Sequence, residues 1–311
     1  MIIFTDKTEF ARRCIPQSDH WQACQISKLA PPLASLAAEL FDCDSIMQTE
    51  VDTSEHWDYL FAINRADKSQ YDVLSRLAVS GCDLPDRTVC CAGSGNEFHG
   101  FKNRSWKACP GNIHLSAIVK PGREIPGAAV GYMVAAVIAA LQTADSFDLK
   151  GESPAIKWVN DVLVQGSKVG GVLARLQTRD QVTESAVVGI GLNVEQSPPV
   201  ERGSFVPRVA ALSDFTPDSE ACSHADAFPR LLTYLGLSLE ALEKGDFSKL
   251  LDLYRQHSVI LGRRATIFED HHTKPDGVIA QGIVESIGPS LELKIEGLPN
   301  PVTKGRLRLD N

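Results

Sequence analysis

Residues 157–193 read KWVNDVLVQGSKVGGVLARLQTRDQVTESAVVGIGLN, and this stretch decides the fold. Val162 to Val164, Val169 to Leu176 and Ala186 to Val194 are short runs rich in apolar and β-branched residues, the composition of strands. Gln165, Gly166 and Ser167 separate the first two runs and suit a tight hairpin. The spacing predicts an antiparallel meander. Lys157 and Lys168 stand about one hairpin apart, so both can project from one sheet edge as point charges for carboxylate or phosphate oxygens. Gly170 and Gly171 remove side chains where a ligand or another backbone must come close. Gly189–Asn193 (GIGLN) again puts small residues in a strand and ends in an amide that both donates and accepts. Each piece also has a plain structural reading, because strand glycines often mark bulges and KWVND could be only a capped strand end.

Working outward, Gly127 to Leu141 is small or apolar on nearly every face, which predicts a helix packed closely on a sheet. Its most apolar part, Ala128 to Leu141, is shorter than the ~20 residues of a membrane span. Asn112 to Val119 alternates with a period of two and predicts a half-buried strand. Helical character is expected for Ala34 to Phe41 behind Pro31 and Pro32, Asp72 to Ala78 before Gly81, Ala227 to Glu243, and Phe247 to Gln256. From Ser258 to Leu309, β-rich pieces alternate with Gly and Pro turns, which predicts a small terminal β-barrel beginning near His257.

A chain of 311 residues fits about two domains. Hydrophobic residues at 43% and charged residues at 23% exclude disorder or a fibrous chain as a whole-chain description. A net charge of −8 argues against broad phosphate contact with nucleic acid and suits a cytoplasmic enzyme. The eight cysteines form no CxxC pair, which speaks against a zinc ribbon or disulfide framework and for reduced thiols. MIIFTDKTEFARR at the N-terminus lacks the basic-then-apolar order of a signal peptide. No Ser-His-Asp or Cys-His arrangement stands out. His271 and His272 are expected in a solvated turn, and Cys90 with Cys91 packed in a strand.

The order KWVND, KVGGVL, GIGLN resembles the biotin protein ligases and their lipoate-ligase relatives, whose core shows KWPND, K(I/L)GG(I/V)L and G(I/A)GxN; Val159 replaces the usual Pro. Ala92 to Trp106 (AGSGNEFHGFKNRSW) aligns without a gap to the family loop AxxQxxGRGRRGRxW, with Gly100, Arg104 and Trp106 matching and Lys102 keeping a charge. Gly111 to Ser116 (GNIHLS) resembles GNLYLS. Gly95 stands where the family has Gln, Phe98 where it has Gly, and His99 and Phe101 where it has arginines. Val51 to Glu55 (VDTSE) looks like the family's V-D-S-T-N, which makes Thr53 and Ser54 binding candidates. Ser258, Leu261, Gly262 and Arg263 precede Ala265 to Ile267 as in the helix-to-barrel segment of biotin ligases.

The resemblance implies an α+β catalytic domain, a mixed or antiparallel sheet flanked by helices, at residues 46–257. A small C-terminal β-barrel would occupy 258–311, and 1–45 would be an extension of unknown role too short and acidic to read as a winged helix-turn-helix. It implies an ATP-dependent biotin protein ligase that activates a vitamin carboxylate as an acyl-adenylate and transfers it to a lysine of an acceptor, the biotin-acceptor domain of an acetyl-CoA carboxylase type enzyme. Lys168 would contact the reacting carboxylate and phosphate, Lys157 would support phosphate binding, and Asp161 would hold Mg²⁺ or orient Lys157. Asn160 and Asn193 would position the nucleotide, and Arg104 would lie on the loop near the phosphates. Gly95, His99, Gly100, Trp106, Gly170, Gly171 and Gly191 complete the expected ligand-binding set. Trp106 could flank the ligand or anchor the loop, and His99 could be a loop cation or a solvated side chain. Neither nucleic acid nor membrane is an expected partner, and a homodimer is a base-rate expectation. The altered loop keeps two alternatives open: a lipoate- or octanoate-type ligase, and a non-catalytic paralogue that binds a small acid.

Overall fold

The computed structural model describes residues 1–52, 56–200, 203, 205, 208–218, 222–269 and 277–310. The N-terminal part runs β1 (Ile2–Thr5), α1 (Thr8–Cys14), β2 (Gln22–Gln25), α2 (Pro31–Leu40), β3 (Ser45–Glu50), β4 (Tyr59–Ile63), β5 (Ala66–Lys68) and α3 (Gln70–Val79). The middle runs β6 (Thr88–Ala92), β7 (Gly95–Glu97), β8 (Ile113–Val119), β9 (Arg123–Glu124), α4 (Ala128–Asp145), β10 (Ala155–Lys157), β11 (Asp161–Val164), β12 (Ser167–Arg179) and β13 (Val182–Leu192). Helices α5 (His224–Glu243) and α6 (Phe247–Gln256) lead to β14 (Arg264–Phe268), β15 (Val278–Ile287), β16 (Leu293–Ile295) and β17 (Arg306–Leu309).

The architecture is α+β. One large sheet has the order β10, β11, β12, β13, β8, β6, β4, β1, β3, β2, with β9 beside β13. It is mixed, since β4 runs parallel to β1 and β6, while β11, β12 and β13 form the antiparallel meander read from the sequence and β10 and β8 pair antiparallel on either side of it. Gln165 and Gly166 take the positive φ values, 49° and 72°, that a tight turn needs between β11 and β12. Strands β14 to β17 form an antiparallel sheet in the order β16, β15, β14, β17, with a further bridge between Leu293 and Val302, and β5 and β7 form a separate parallel pair.

Both faces of the large sheet are covered, and this explains two departures from expectation. β8 was expected to be half-buried, yet all seven residues are buried, because α4 and its neighbours pack on one side while α3 and the cavity lie on the other. Residues 1–45 were expected as an extension; instead β1 lies between β3 and β4 in the large sheet, and α1 and α2 pack on its two faces. The apolar start Ile2–Thr5 is a core strand, with Ile3 fully buried.

α4 is long and apolar enough to cross a membrane by composition, but it packs against β12, β13, α5 and α6. Its all-round apolarity reflects burial on every side. The small C-terminal unit is tied to the KWVND segment by Trp158 Nε1, which donates to the Leu291 carbonyl at 2.8 Å, and α6 is tied to the same segment by Tyr254 Oη, which donates to the Val159 carbonyl at 2.9 Å.

Candidate active site

A cavity of about 420 Å³ opens where the meander, the 98–107 loop, the start of α3 and the C-terminal unit meet. The loop is a hairpin. β7 pairs with β5, His99 bridges to Ser105, and Trp106 N donates to the Phe98 carbonyl at 2.9 Å. Its tip turns at Lys102 and Asn103, with φ of 56° and 57°, and the cations of Lys102 and Arg104 lie 5.7 and 5.8 Å from the Phe101 ring.

The ion pair Lys168 Nζ to Asp161 Oδ1, 2.6 Å long, sits on the β11–β12 hairpin. Gly171 leaves room for it, because a Cβ there would stand 3.2 Å from Lys168 Nζ. The Lys168 ammonium also lies 5.8 Å from the Trp106 ring. Gly191 is needed for that ring, since an added Cβ would meet Trp106 Cζ2 at 2.4 Å. Trp106 thus both lines the cavity and anchors the loop, donating from Nε1 to His114 Nδ1 at 3.2 Å. The other His114 nitrogen faces the Cys109 carbonyl at 3.1 Å, so it carries the hydrogen. Burial pushes His114 down to about 4, which keeps it neutral.

Lys157 is almost fully buried and donates to the Phe205 carbonyl. Burial holds its ammonium below the ordinary lysine value; Asp161 opposes the shift, while Lys168, Arg306 and Arg104 reinforce it. His99 is no solvated bystander. Nε2 lies 2.8 Å from Asp72 and Nδ1 3.2 Å from the Gly100 carbonyl, two acceptors that suit an imidazolium. Partial burial opposes the charge, but the hydrogen bonds and the Asp72 carboxylate raise the His99 value overall.

His99, Gly100, Arg104, Trp106, Lys157, Asn160, Asp161, Lys168, Gly171, Gly191 and Asn193 all line this cavity. Other expectations land elsewhere. Gly95 is not among the lining residues: a Cβ there would meet Phe98 Cε2 at 2.1 Å, so Phe98 fills the space. Gly170 serves close strand packing, with its Cβ position 3.0 Å from the Gly191 carbonyl. Asn193 is fully buried and donates to the Ala210 carbonyl at 3.0 Å, and Asn160 donates to the Val172 carbonyl at 2.6 Å. Both amides are therefore engaged in holding the backbone. Thr53, Ser54, His271 and His272 lie outside the described residues. Next to the first pair, Trp57 Nε1 donates to the Leu232 carbonyl at 3.0 Å, against α5.

The segment that lines the cavity before the loop is instead Ser69, Gln70 and Tyr71, at the start of α3. Gln70 is 1% exposed and its Nε2 has no hydrogen-bond partner. Burial pushes the Tyr71 hydroxyl up to about 12. Lys304 and Arg306 enter from the C-terminal unit, with the Arg306 guanidinium 4.0 Å from the Phe205 ring centroid. The sequence signal for Ser69–Tyr71 was the helix start itself; nothing in the tail marked Lys304 or Arg306. Among the described residues, the lining side chains include Lys102, Arg104, Lys107, Lys157, Lys168, Lys304 and Arg306 against the one carboxylate of Asp161, in a chain whose net charge is −8. Such a cavity suits polyanionic ligands.

These features define a cation-lined ligand site on a mixed sheet, closed by a glycine-containing hairpin and flanked by a small β unit. Residues 93–193 match the biotin/lipoate A/B protein ligase family. The chain is 28% identical over 153 residues to the bifunctional ligase/repressor BirA of Bacillus subtilis, covering 49% of this chain and 44% of that protein. It is 30% identical over 174 residues to the biotin–[acetyl-CoA-carboxylase] ligase of Mycobacterium tuberculosis, covering 55% and 59%. The chain thus spans about half the length of the curated relatives it matches. The biotin protein ligase of Aquifex aeolicus, solved with biotin and ATP, shares the fold with a TM-score of 0.61 at 19% identity, covering 81% of this chain and 98% of that one.

Proposed function

We propose that the chain is an ATP-dependent biotin–protein ligase that forms biotinyl-adenylate and transfers the biotinyl group to a lysine of a carboxylase acceptor domain in the cytoplasm. The observation that carries this reading is the concentration of cations that line the cavity among the described residues. A carboxylate attacking the α-phosphate of ATP brings two anions together, so the site must supply positive charge where they meet.

Lys168 is the reacting-centre cation, kept in place by Asp161 and by the Trp106 ring. Lys157, with its depressed value, meets phosphate oxygens from inside the sheet, and Arg104 meets them from the hairpin. The same hairpin covers the mixed anhydride and limits its hydrolysis. Asp161 would hold a Mg²⁺ ion carried in with the phosphates, because such an ion needs only one or two protein carboxylates, and the ion would add positive charge to the site. No enzyme nucleophile takes part. AMP leaves when the acceptor lysine's amine attacks the acyl carbon.

Loss of an amide at Gly95 and the presence of Phe98 favour a second reading, a lipoate- or octanoate-type ligase. The buried, unpartnered amide of Gln70 weighs against it, since a buried donor gains most from a substrate with an acceptor oxygen at that end. Biotin's ureido carbonyl offers one, and a plain fatty tail does not. ATP/pyrophosphate exchange, measured with biotin, lipoate, octanoate and no acid, tests the choice. Exchange stimulated by biotin supports the proposal; stimulation by a fatty acid alone moves the assignment to the second reading, and none in folded protein points to a binding-only paralogue.

A further inference from the structure

Away from the cavity, Cys14, Cys91 and His224 place their ligand atoms within 4.8 Å of one another. They come from three elements distant in sequence: the last residue of α1, the strand β6 and the first residue of α5. Their exposures are 0%, 0% and 1%. Cys90 faces the opposite side of β6 and belongs to a different apolar cluster.

The histidine is held ready to ligate. Nδ1 lies 3.2 Å from the Arg13 carbonyl, an acceptor only, so Nδ1 carries the hydrogen and the lone pair belongs to Nε2. Nε2 is buried and makes no hydrogen bond of ordinary geometry, and the Cys91 thiol interacts with the ring. Glu195 Oε1 accepts from Arg13 Nη2 at 2.6 Å and from the His224 backbone N–H at 2.8 Å, which ties the end of α1 to the start of α5. The imidazole stacks on Phe228, with centroids 5.6 Å apart and planes at 8°.

We propose that Cys14, Cys91 and His224 bind one thiophilic divalent cation of the zinc class. Two thiolates and one neutral imidazole supply three of the four donors such ions take, the fourth position being left to a water. Charge selects the divalent ion: two thiolates cancel it, and a neutral centre is the one a water-excluded core tolerates. Metal–sulfur bonds of ~2.3 Å and a metal–nitrogen bond of ~2.0 Å put ligand atoms roughly 3.5–4 Å apart, so from separations within 4.8 Å the cluster closes with a contraction of at most about 1.3 Å. On binding, two S–H bonds break, two S–metal bonds form and two protons pass to solvent, with no change of oxidation state. The ion would clamp α1, β6 and α5 together behind the sheet, independently of what the cavity binds.

The test uses the full chain, purified under reductant, stripped with chelator and titrated with Co²⁺. One Co²⁺ per chain with a thiolate-to-cobalt charge-transfer band is expected, displaced by one equivalent of Zn²⁺. Cys91→Ser should lose the band, whereas Cys109→Ser, at a cysteine outside the cluster, should keep it. Because Cys91→Ser sits in the core, zinc-edge X-ray absorption of the unsubstituted chain provides a second readout, with two sulfur ligands and one nitrogen expected. A folded, reduced chain without the band overturns the proposal, as does a band that survives Cys91→Ser or a zinc spectrum without sulfur. A Cys14–Cys91 disulfide that persists under reductant also overturns it.

Discussion

Lys168 holds its place through Asp161 at 2.6 Å and the Trp106 ring at 5.8 Å, contacts that orient a charge and add little to folding. Lys168→Ala is therefore expected to lower biotin-dependent ATP/pyrophosphate exchange by about 10²–10³-fold, the usual loss for one preorganised charge-stabilising group. The melting temperature should stay within a few degrees of the parent; unchanged exchange would remove Lys168 from the chemistry. Gln70→Leu keeps the volume and deletes the buried donor, so the KM for biotin should rise about tenfold, equivalent to about 1.4 kcal/mol. Its KM for any fatty acid accepted should move less, and parallel shifts for both acids would contradict the role given to Gln70. Lys157, Asp161 and Lys168 were legible because their motifs are local. Gln70 was not, since a lone amide at a helix start has no pattern and gains meaning only from its buried, unpaired Nε2.

Among elements, the meander β11–β13 was readable from its alternation of apolar runs and turn residues, and α6 falls where the Leu spacing put it. The N-terminal segment was not readable, because β1 has four residues and makes sense only between partners brought from residues 45–50 and 59–63. Long-range pairing of that kind leaves no local period. Deleting residues 1–45 removes β1, α1, β2 and α2 and exposes the edges of β3 and β4. The truncated chain should be insoluble or lack a cooperative melt by circular dichroism, whereas a soluble, cooperatively melting and active product would restore the view of a separable extension. The 98–107 hairpin shows the converse limit: family alignment located it, but Phe98 packed on Gly95 and His99 paired with Asp72 depend on three-dimensional neighbours.

For the whole molecule, the buried neutral His114 links stability to pH. Its folded value of about 4 lies below the ordinary 6.5, so the unfolded chain binds more protons between those values and stability falls as pH drops through that window. The loss amounts to about 2 kcal/mol from about pH 7 to about pH 5. Urea midpoints at the two pH values should show it, and His114→Gln should flatten the difference. At the same scale, residues from α3 through the C-terminal unit converge on one cation-lined cavity, the place proposed for acyl-adenylate formation. The most direct measurement is to mix the purified chain with biotin, Mg²⁺ and ATP labelled in its α-phosphate, separate protein from free nucleotide, and identify what the protein retains. Close to one biotinyl-adenylate per chain, dependent on biotin and lost in Lys168→Ala, is the expected result; folded protein that retains ATP or nothing, with no adenylate formed, would contradict the account.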